Sequence, residues 1–164
     1  MNEIIKDASF TVGITQQMHA LAQKSVINFS SEDKDKKKQV YLNVLSVLSV
    51  DLILKTLGLK TESSKSEVFD SITQLFLDTA GINLSNYGVV ECRWTFVDDL
   101  VFRVPADAWW ERICYVFVQF NRELTEANII GFLPSIKEER EEYLPEELGS
   151  FSEFLEFLES VKKH

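Results

Sequence analysis

The chain has 164 residues, of which 45% are hydrophobic and 26% are charged. These proportions are typical of one soluble globular domain, and they exclude disordered, collagen-like and disulfide-scaffold proteins. The most apolar stretch, Val44 to Leu54, is interrupted by two serines and Asp51, so the sequence predicts no membrane span. The first residues carry acids and lack the apolar region of a secretion signal, which predicts a cytoplasmic protein.

The formal net charge is −9, and the acidity is concentrated after residue 60. The isoelectric point of about 4.8 argues against DNA, RNA or an anionic membrane surface as the main ligand, because proteins that bind these need basic surfaces. The basic run from Lys34 to Lys38 is interleaved with Asp35, so we expect it to form the solvated face of a helix.

Two helices are predicted in the first 60 residues. Thr15 is a good N-cap and precedes apolar residues at helical spacing, which predicts a helix over 14–29. Ser30 and Asp33 have the spacing of a capping box, and they predict a second, long helix over 31–58 that ends at Gly58.

The long helix should form the centre of the protein, because apolar residues occupy most of its circumference between Val40 and Leu57. Asp51 in this run must either face water or find a buried partner, and we expect it to face water. A short helix is predicted over 66–74. Its apolar residues, which should point inward, are Val68, Ile72 and Leu75.

From residue 81 to 134 the apolar pattern changes to alternation, which predicts an antiparallel sheet of about four to five strands. A turn at Asn86-Tyr87-Gly88 should join the first two strands as a hairpin. The segment 113–120 is apolar on both sides, so both faces of the sheet should be covered. Ser150 and Glu153 form another capping box, and they begin an amphipathic helix over 150–162.

Helices followed by antiparallel strands indicate an α+β fold, in which residues 1–164 form a single domain. The N-terminal helices should pack on the sheet, with the long helix against its centre. The core residues expected at this contact are Tyr41, Leu45, Leu48, Leu52, Cys92, Trp94, Val116 and Val118.

No motif for catalysis or for binding a metal or cofactor stands out. Cys92 and Cys114 lack the paired spacing of a zinc site, and His19 is expected to be a surface or boundary residue. Both cysteines should be buried free thiols, with a disulfide left open if their strands are neighbours. The acidic pair at 98–99 is typical of a turn rather than of an acid–base site. We therefore expect no enzyme activity, no metal and no cofactor.

Two features of the sequence favour protein binding. Trp109 and Trp110 are adjacent in one helical turn beside Arg112, so they cannot both point into the same core, and these residue types are common in binding hot spots. The C-terminal helix docks either on its own sheet or in a partner's groove, and its glutamates would steer it toward a basic protein surface. The residues of this helix assigned to partner binding are Glu153, Phe154, Glu156, Phe157 and Glu159.

Five segments in a fixed order carry a family resemblance. They are FTVGITQQMHALAQ, KKQVYLNVLSVLSVDLILKTLGLKTE, LDTAGINLSNYGVVECRW, VPADAWWERICYVFVQFNRELTEANIIGFLPS and LPEELGSFSEFLEFLES. The most specific parts are the VYLN helix, the strand with Gly88, Glu91, Cys92 and Arg93, and the GFLP strand. Together they resemble the bacterial, largely cyanobacterial, domain of unknown function 1822 family. Members of that family are often longer, so the chain resembles their N-terminal domain.

The resemblance implies little about mechanism, because the family has no established activity. It implies a genetic association with alternative sigma factors and with caspase-like proteases of the CHAT type. We therefore expect a non-enzymatic regulatory or adaptor protein that binds such a sigma factor, or that binds or is cut by such a protease. A small hydrolase or nucleotide-handling enzyme is the alternative, and a purely structural subunit is a third. The partner's identity and the oligomeric state stay open.

Overall fold

The computed structural model describes residues 10–29 and 32–161. Within these residues the chain forms seven β-strands and four α-helices. In chain order they are β1 (Phe10–Gly13), α1 (Gln16–Ile27), α2 (Lys34–Thr56), α3 (Ser71–Phe76), β2 (Gly81–Leu84), β3 (Gly88–Phe96), β4 (Phe102–Arg103), β5 (Cys114–Phe120), β6 (Glu126–Leu133), β7 (Glu142–Tyr143) and α4 (Phe151–Val161).

The N-termini of the first two helices are set by their capping side chains. The Thr15 hydroxyl accepts a 3.2 Å hydrogen bond from the Met18 amide, as the sequence predicts. The Asp33 carboxylate accepts bonds from the amides of Asp35 and Lys36, so α2 begins at Lys34. Ser30, the other half of the predicted capping box, and the predicted helix start at residue 31 lie outside the described residues.

The α+β class is confirmed, and the main sheet has five strands in the order β1-β6-β5-β3-β2. The expectation that the sheet is antiparallel throughout is wrong for β3 and β5, which run parallel with Cys92 opposite Val116. Residues 97–113 carry the chain back to the starting edge of β3 instead of turning tightly, so β5 enters in the same direction. Strand β1, which the sequence did not predict, pairs with the edge of β6.

The predicted hairpin joins β2 to β3, with Gly81 opposite Glu91 and Leu84 opposite Gly88. Gly88 has a φ of 135°, and a Cβ there would lie 2.6 Å from Cγ2 of Ile113. Both the backbone angle and the close approach require glycine at this position.

Helix α2 packs on one face of the sheet, and a smaller apolar cluster around Phe102, Tyr115 and Phe117 covers the other face. Of the predicted core, Leu45, Cys92, Val116 and Val118 are buried. Tyr41, Leu48 and Trp94 are half-buried and pack against this core.

Two expectations for α2 are wrong. Leu52 is 45% exposed, because it lies on the side of the helix turned away from the sheet. Asp51 is buried rather than solvated: its carboxylate accepts a hydrogen bond from Thr61 and pairs with Lys55 at 2.9 Å. The buried carboxylate is therefore stabilised by partners, as burial of a charge requires.

By length and mean hydropathy α2 could cross a membrane, and it is the one helix of the described residues for which this is so. However, 67% of its most apolar window is buried inside the protein, and a core helix passes the same test.

The C-terminal helix α4 docks on its own sheet. Its Phe154 ring lies 5.4 Å from the ring of Phe132 on β6, and Phe151 and Leu158 are also buried. The Ser150–Glu153 capping box is present, with the Glu153 amide donating to the Ser150 hydroxyl at 3.1 Å.

Candidate protein-binding surface

Helix α3 has its apolar residues outside and a polar residue inside. Ile72 is 70% exposed and Phe76 is 74% exposed, while Gln74 is fully buried. The expectation that Ile72 and Leu75 point inward is therefore wrong, and of the three residues named for this helix only Val68 is buried. Packing of an apolar stripe, the usual source of helix stability in proteins, does not hold this helix in place.

Hydrogen bonds of the Gln74 side chain hold α3 instead. Its Nε2 donates to the backbone carbonyl of Thr79 at 2.8 Å and to that of Glu67 at 3.3 Å. Its Oε1 accepts a 3.3 Å bond from Nδ2 of Asn43, which is buried in α2. The amide is thus satisfied on both sides, and this arrangement orients the helix.

The Asn43 amide connects α3 to the loop that follows and to the sheet. Its Nδ2 also donates to Asp78 at 3.0 Å, and its Oδ1 accepts a 2.8 Å bond from the Trp94 indole. Arg93 on β3 then pairs with Asp78 at 3.0 Å. One chain of polar contacts therefore runs from the core helix through the α3 region to the centre of the sheet.

An ionic network continues this chain beneath the surface. Glu91, which is fully buried, pairs with Arg93 at 3.0 Å and with Arg112 at 2.9 Å, and it accepts a 2.8 Å bond from the Ala80 amide. Arg112 also pairs with Glu67 in the turn before α3. The network thus holds the segments on both sides of α3, and loss of any one partner would leave a buried charge with too little opposite charge beside it.

The pKa values of the network follow from burial and charge together. Burial raises the pKa of Glu91, although the charges of Arg93 and Arg112 oppose this rise. At Asp78 burial also acts to raise the pKa, but the Arg93 charge and the bonds from Asn43 and Arg93 outweigh it, so the pKa is lowered. Burial acts to lower the pKa of Arg93, and the two carboxylates outweigh it and keep this side chain a cation.

Trp110 lies on a segment that is tied to the C-terminal end of α3. The Asp78 amide donates a 2.9 Å bond to the Asp107 carboxylate, which ties the chain just after Leu77 to the turn just before Trp110. Trp110 is 69% exposed. We call this surface the apolar ridge. It consists of Ile72, Leu75, Phe76, Leu77 and Trp110, all of them exposed.

A groove of about 300 Å³ lies beside the ridge, between α1 and α3. Phe29, Val40 and Val68 contribute an apolar floor. Ser71 and Gln74 of α3 line one side of it. Helix α3 therefore borders both the groove and the ridge.

The predicted tryptophan element is divided by the structure. Trp110 is exposed, as one of the two tryptophans was expected to be. Trp109 is half-buried, with its Nε1 donating a 3.0 Å bond to the Val104 carbonyl. Arg112 is engaged in the ionic network with a side chain that is 9% exposed, so the expected binding role does not fit it.

The residues of α4 assigned to partner binding are also divided. Glu153, Glu156 and Glu159 face solvent. Phe154 is buried against the sheet, and Phe157 packs on Phe132 with the ring centroids 5.5 Å apart. The two phenylalanines therefore attach the helix to its own sheet, and its glutamates are exposed.

The remaining residues considered for chemistry have structural contacts. His19 Nδ1 bonds the Tyr41 hydroxyl at 2.5 Å, and its Nε2 bonds the Leu124 carbonyl at 2.8 Å. Cys92 and Cys114 are buried free thiols on neighbouring strands. In the described part of the chain no group of three or more His, Cys, Asp or Glu residues could hold a metal ion.

The chain matches the sequence model of a family described as a protein of unknown function, DUF1822, over residues 12–163. It belongs to this family. Comparisons with curated proteins and with solved structures found no significant match. In this DUF1822 protein, Glu91, Arg93 and Arg112, which lie in the motifs that carry the resemblance, meet in the buried ionic network.

Sequence reasoning missed the apolar ridge of this DUF1822 protein. The signal that could have indicated it is Gln74, a long polar side chain between Ile72 and Leu75 in so short a helix. Helical spacing alone cannot show which side of such a helix is buried, because a single well-bonded polar residue can determine its orientation.

Proposed function

We propose that this DUF1822 protein is a non-enzymatic cytoplasmic adaptor or regulator that binds a partner protein through the apolar ridge. The observation that carries the proposal is the orientation of α3, in which buried Gln74 holds Ile72 and Phe76 in solvent. Exposure of these residues gains nothing for folding, since burying them would stabilise the domain. A partner that covers the ridge would recover that free energy.

The ridge offers exposed apolar side chains that a partner protein would bury. Full burial of an apolar side chain such as Ile72 or Phe76 is worth about 1.5–3 kcal/mol. Trp110 adds a large ring of the type enriched in hot spots. Because Asp107 and the ionic network hold the surrounding backbone, little ordering free energy would be spent on binding.

The partner we propose is an alternative sigma factor or a CHAT-type protease, following the family resemblance. A protease would bind this domain as a partner or cleave it as a substrate. The exposed carboxylates of Glu153, Glu156 and Glu159 would steer a basic partner surface during the encounter. The helix that carries them contacts β6, near one edge of the sheet, whereas α3 directly precedes β2 at the other edge, so steering and docking would use separate regions of the surface.

The test is a binding titration of the full chain against a sigma factor and a CHAT-type protease encoded beside it. We expect Phe76→Ser and Trp110→Ala each to weaken binding by about 2 kcal/mol or more, the hot-spot threshold. Leu75→Ser is compared with Leu144→Ser as its matched control. The two leucines are 43% and 45% exposed, and only Leu75 lies in the ridge. Equal affinities for the wild type and the ridge variants would contradict the proposal.

A further inference from the structure

The rim of the groove beside the ridge is rich in hydrogen-bond donors. Lys24 of α1, Asn28 just after α1 and Ser71 of α3 line it, and none of the three side chains has a hydrogen bond or ion pair within the described residues. The hydroxyl of Ser25, by contrast, donates to the Leu21 carbonyl at 3.0 Å. The ammonium, amide and hydroxyl groups of these three side chains at the groove are suited to bind an anionic or carbonyl acceptor.

The floor of the groove is apolar and small. Phe29, Val40 and Val68 are buried there, and Phe69 is partly buried beside them. Its volume of about 300 Å³ is at the lower end of the range for ligand pockets. One large apolar side chain would fill such a space.

Two lysines beside the groove and the ridge are suited to pair with an acidic occupant. Lys36 donates its Nζ to the Leu77 carbonyl at 3.1 Å, and neither Lys24 nor Lys36 has a carboxylate within 4 Å in the part of the chain described here. Two carboxylates of this region also stay charged: Asp70 caps the Ile72 and Thr73 amides, and Asp107 accepts from the Asp78 amide. Lys24 and Lys36 nevertheless have no carboxylate in contact within the described residues, so each can pair with an acid of the occupant.

We propose that the groove and the apolar ridge together bind a partner segment that carries a large apolar side chain next to a carboxylate. This inference rests on the proposed function and specifies what its partner presents. The apolar side chain enters the groove, the carboxylate meets Lys24 and Asn28, and further apolar residues of the segment cover Ile72 and Phe76. An amphipathic helix in a groove is the recognition mode that fits this shape.

Two designed helical peptides of about 14 residues test the inference with the full chain. Both carry the same leucine and phenylalanine stripe, and the remaining positions are glutamate in one peptide and lysine in the other. Fluorescence anisotropy should show the glutamate peptide binding at least about tenfold more tightly, equivalent to about 1.4 kcal/mol. This preference opposes the net charge of −9, which would favour the lysine peptide.

Two charge reversals locate the site. Lys24→Glu should remove the preference for the glutamate peptide. Lys60→Glu, at an exposed lysine beyond the far end of α2, should leave the preference unchanged. Phe76→Ser should weaken binding of the glutamate peptide by about tenfold or more. The circular dichroism spectrum of each variant should match that of the wild type. A match would exclude unfolding as the cause of a change in peptide binding.

Equal affinity for the two peptides, a preference for lysine, or the absence of saturable binding would overturn the inference. Self-association that Phe76→Ser abolishes would also overturn it, because the ridge would then bind a second copy of the chain. Failure of this inference can be distinguished from failure of the proposed function. If ridge variants lose the natural partner while the peptides show no acidic preference, the adaptor proposal stands and the acidic segment is rejected.

Discussion

The side-chain amide of Asn43 donates a 3.3 Å hydrogen bond to the side-chain carbonyl of Gln74, and both side chains are fully buried. The central helix therefore holds α3 through polar contacts rather than through apolar packing. Hydrogen bonds are directional, whereas hydrophobic contact is not, so this attachment also determines which side of α3 faces water. The apolar ridge follows from that orientation.

Replacement of Gln74 should destabilise the protein and loosen α3. In Gln74→Ala the Asn43 amide and the carbonyls of Thr79 and Glu67 lose buried partners, so we expect a loss of about 1–3 kcal/mol in the free energy of unfolding. Urea denaturation followed by circular dichroism measures this loss. Gln23→Ala, at an exposed glutamine of α1, is the control and should change little. Equal stabilities of the two variants would show that the buried amide does not hold α3.

Neutralising Glu91 should lower the free energy of unfolding far more than neutralising a surface acid. Glu91→Gln keeps the shape of the side chain but leaves Arg93 and Arg112 with too little negative charge in a buried site, so we expect a loss of about 3–5 kcal/mol. Asp98→Asn, which breaks an exposed pair with Arg122, should have little effect. Chemical denaturation of both variants tests the contrast, and a small effect of Glu91→Gln would contradict it.

The lowered pKa of Asp78 predicts a contribution to stability that depends on pH. Since the folded pKa lies below the ordinary value, the stabilisation is fully present above about pH 4 and is lost as the pH falls through the folded pKa. Asp78→Asn should therefore be less stable than the wild type at pH 7, and the difference should shrink toward pH 2. Denaturation at several pH values gives this difference, and a difference that is constant with pH would be inconsistent with the lowered pKa.

The two thiols should be inert in the folded protein. Burial raises the pKa of Cys114 to about 12 and raises that of Cys92 well above its ordinary value, so neither forms thiolate near neutral pH. A thiol-specific chromogenic reagent at pH 8 should label neither cysteine in the native chain and both in guanidinium chloride. Rapid labelling of the native protein would indicate that β3 and β5 open readily.

Local sequence patterns predicted the elements whose signals are local. Thr15 and Ser150 indicated two helix starts correctly, because a cap needs only its own first turn. The turn at Asn86-Tyr87-Gly88 indicated the first hairpin for the same reason. The parallel pairing of β3 with β5 could not be predicted, since alternation is the same in a parallel and an antiparallel strand.

The binding surface was predictable only in part. Trp110 was identified because two adjacent tryptophans cannot share one core, but its neighbours in α3 were assigned to the interior. Arg112 was assigned to the surface because a sequence does not show that Glu91 and Glu67 converge on it from two other segments. Charge pairing between distant residues has no periodic signature.

The sequence by itself determined the α+β class, the buried course of α2 and the amphipathic C-terminal helix, because hydrophobic periodicity and capping are properties of neighbouring residues. The tertiary structure alone decided the direction of β5, the burial of Asp51 and the outward orientation of α3. Each of these depends on a contact between residues far apart in the chain, such as Asn43 with Gln74. Turning the apolar side of α3 inward would leave the buried Asn43 amide and the Thr79 carbonyl without their Gln74 partner, and an unpaired buried polar group destabilises the fold.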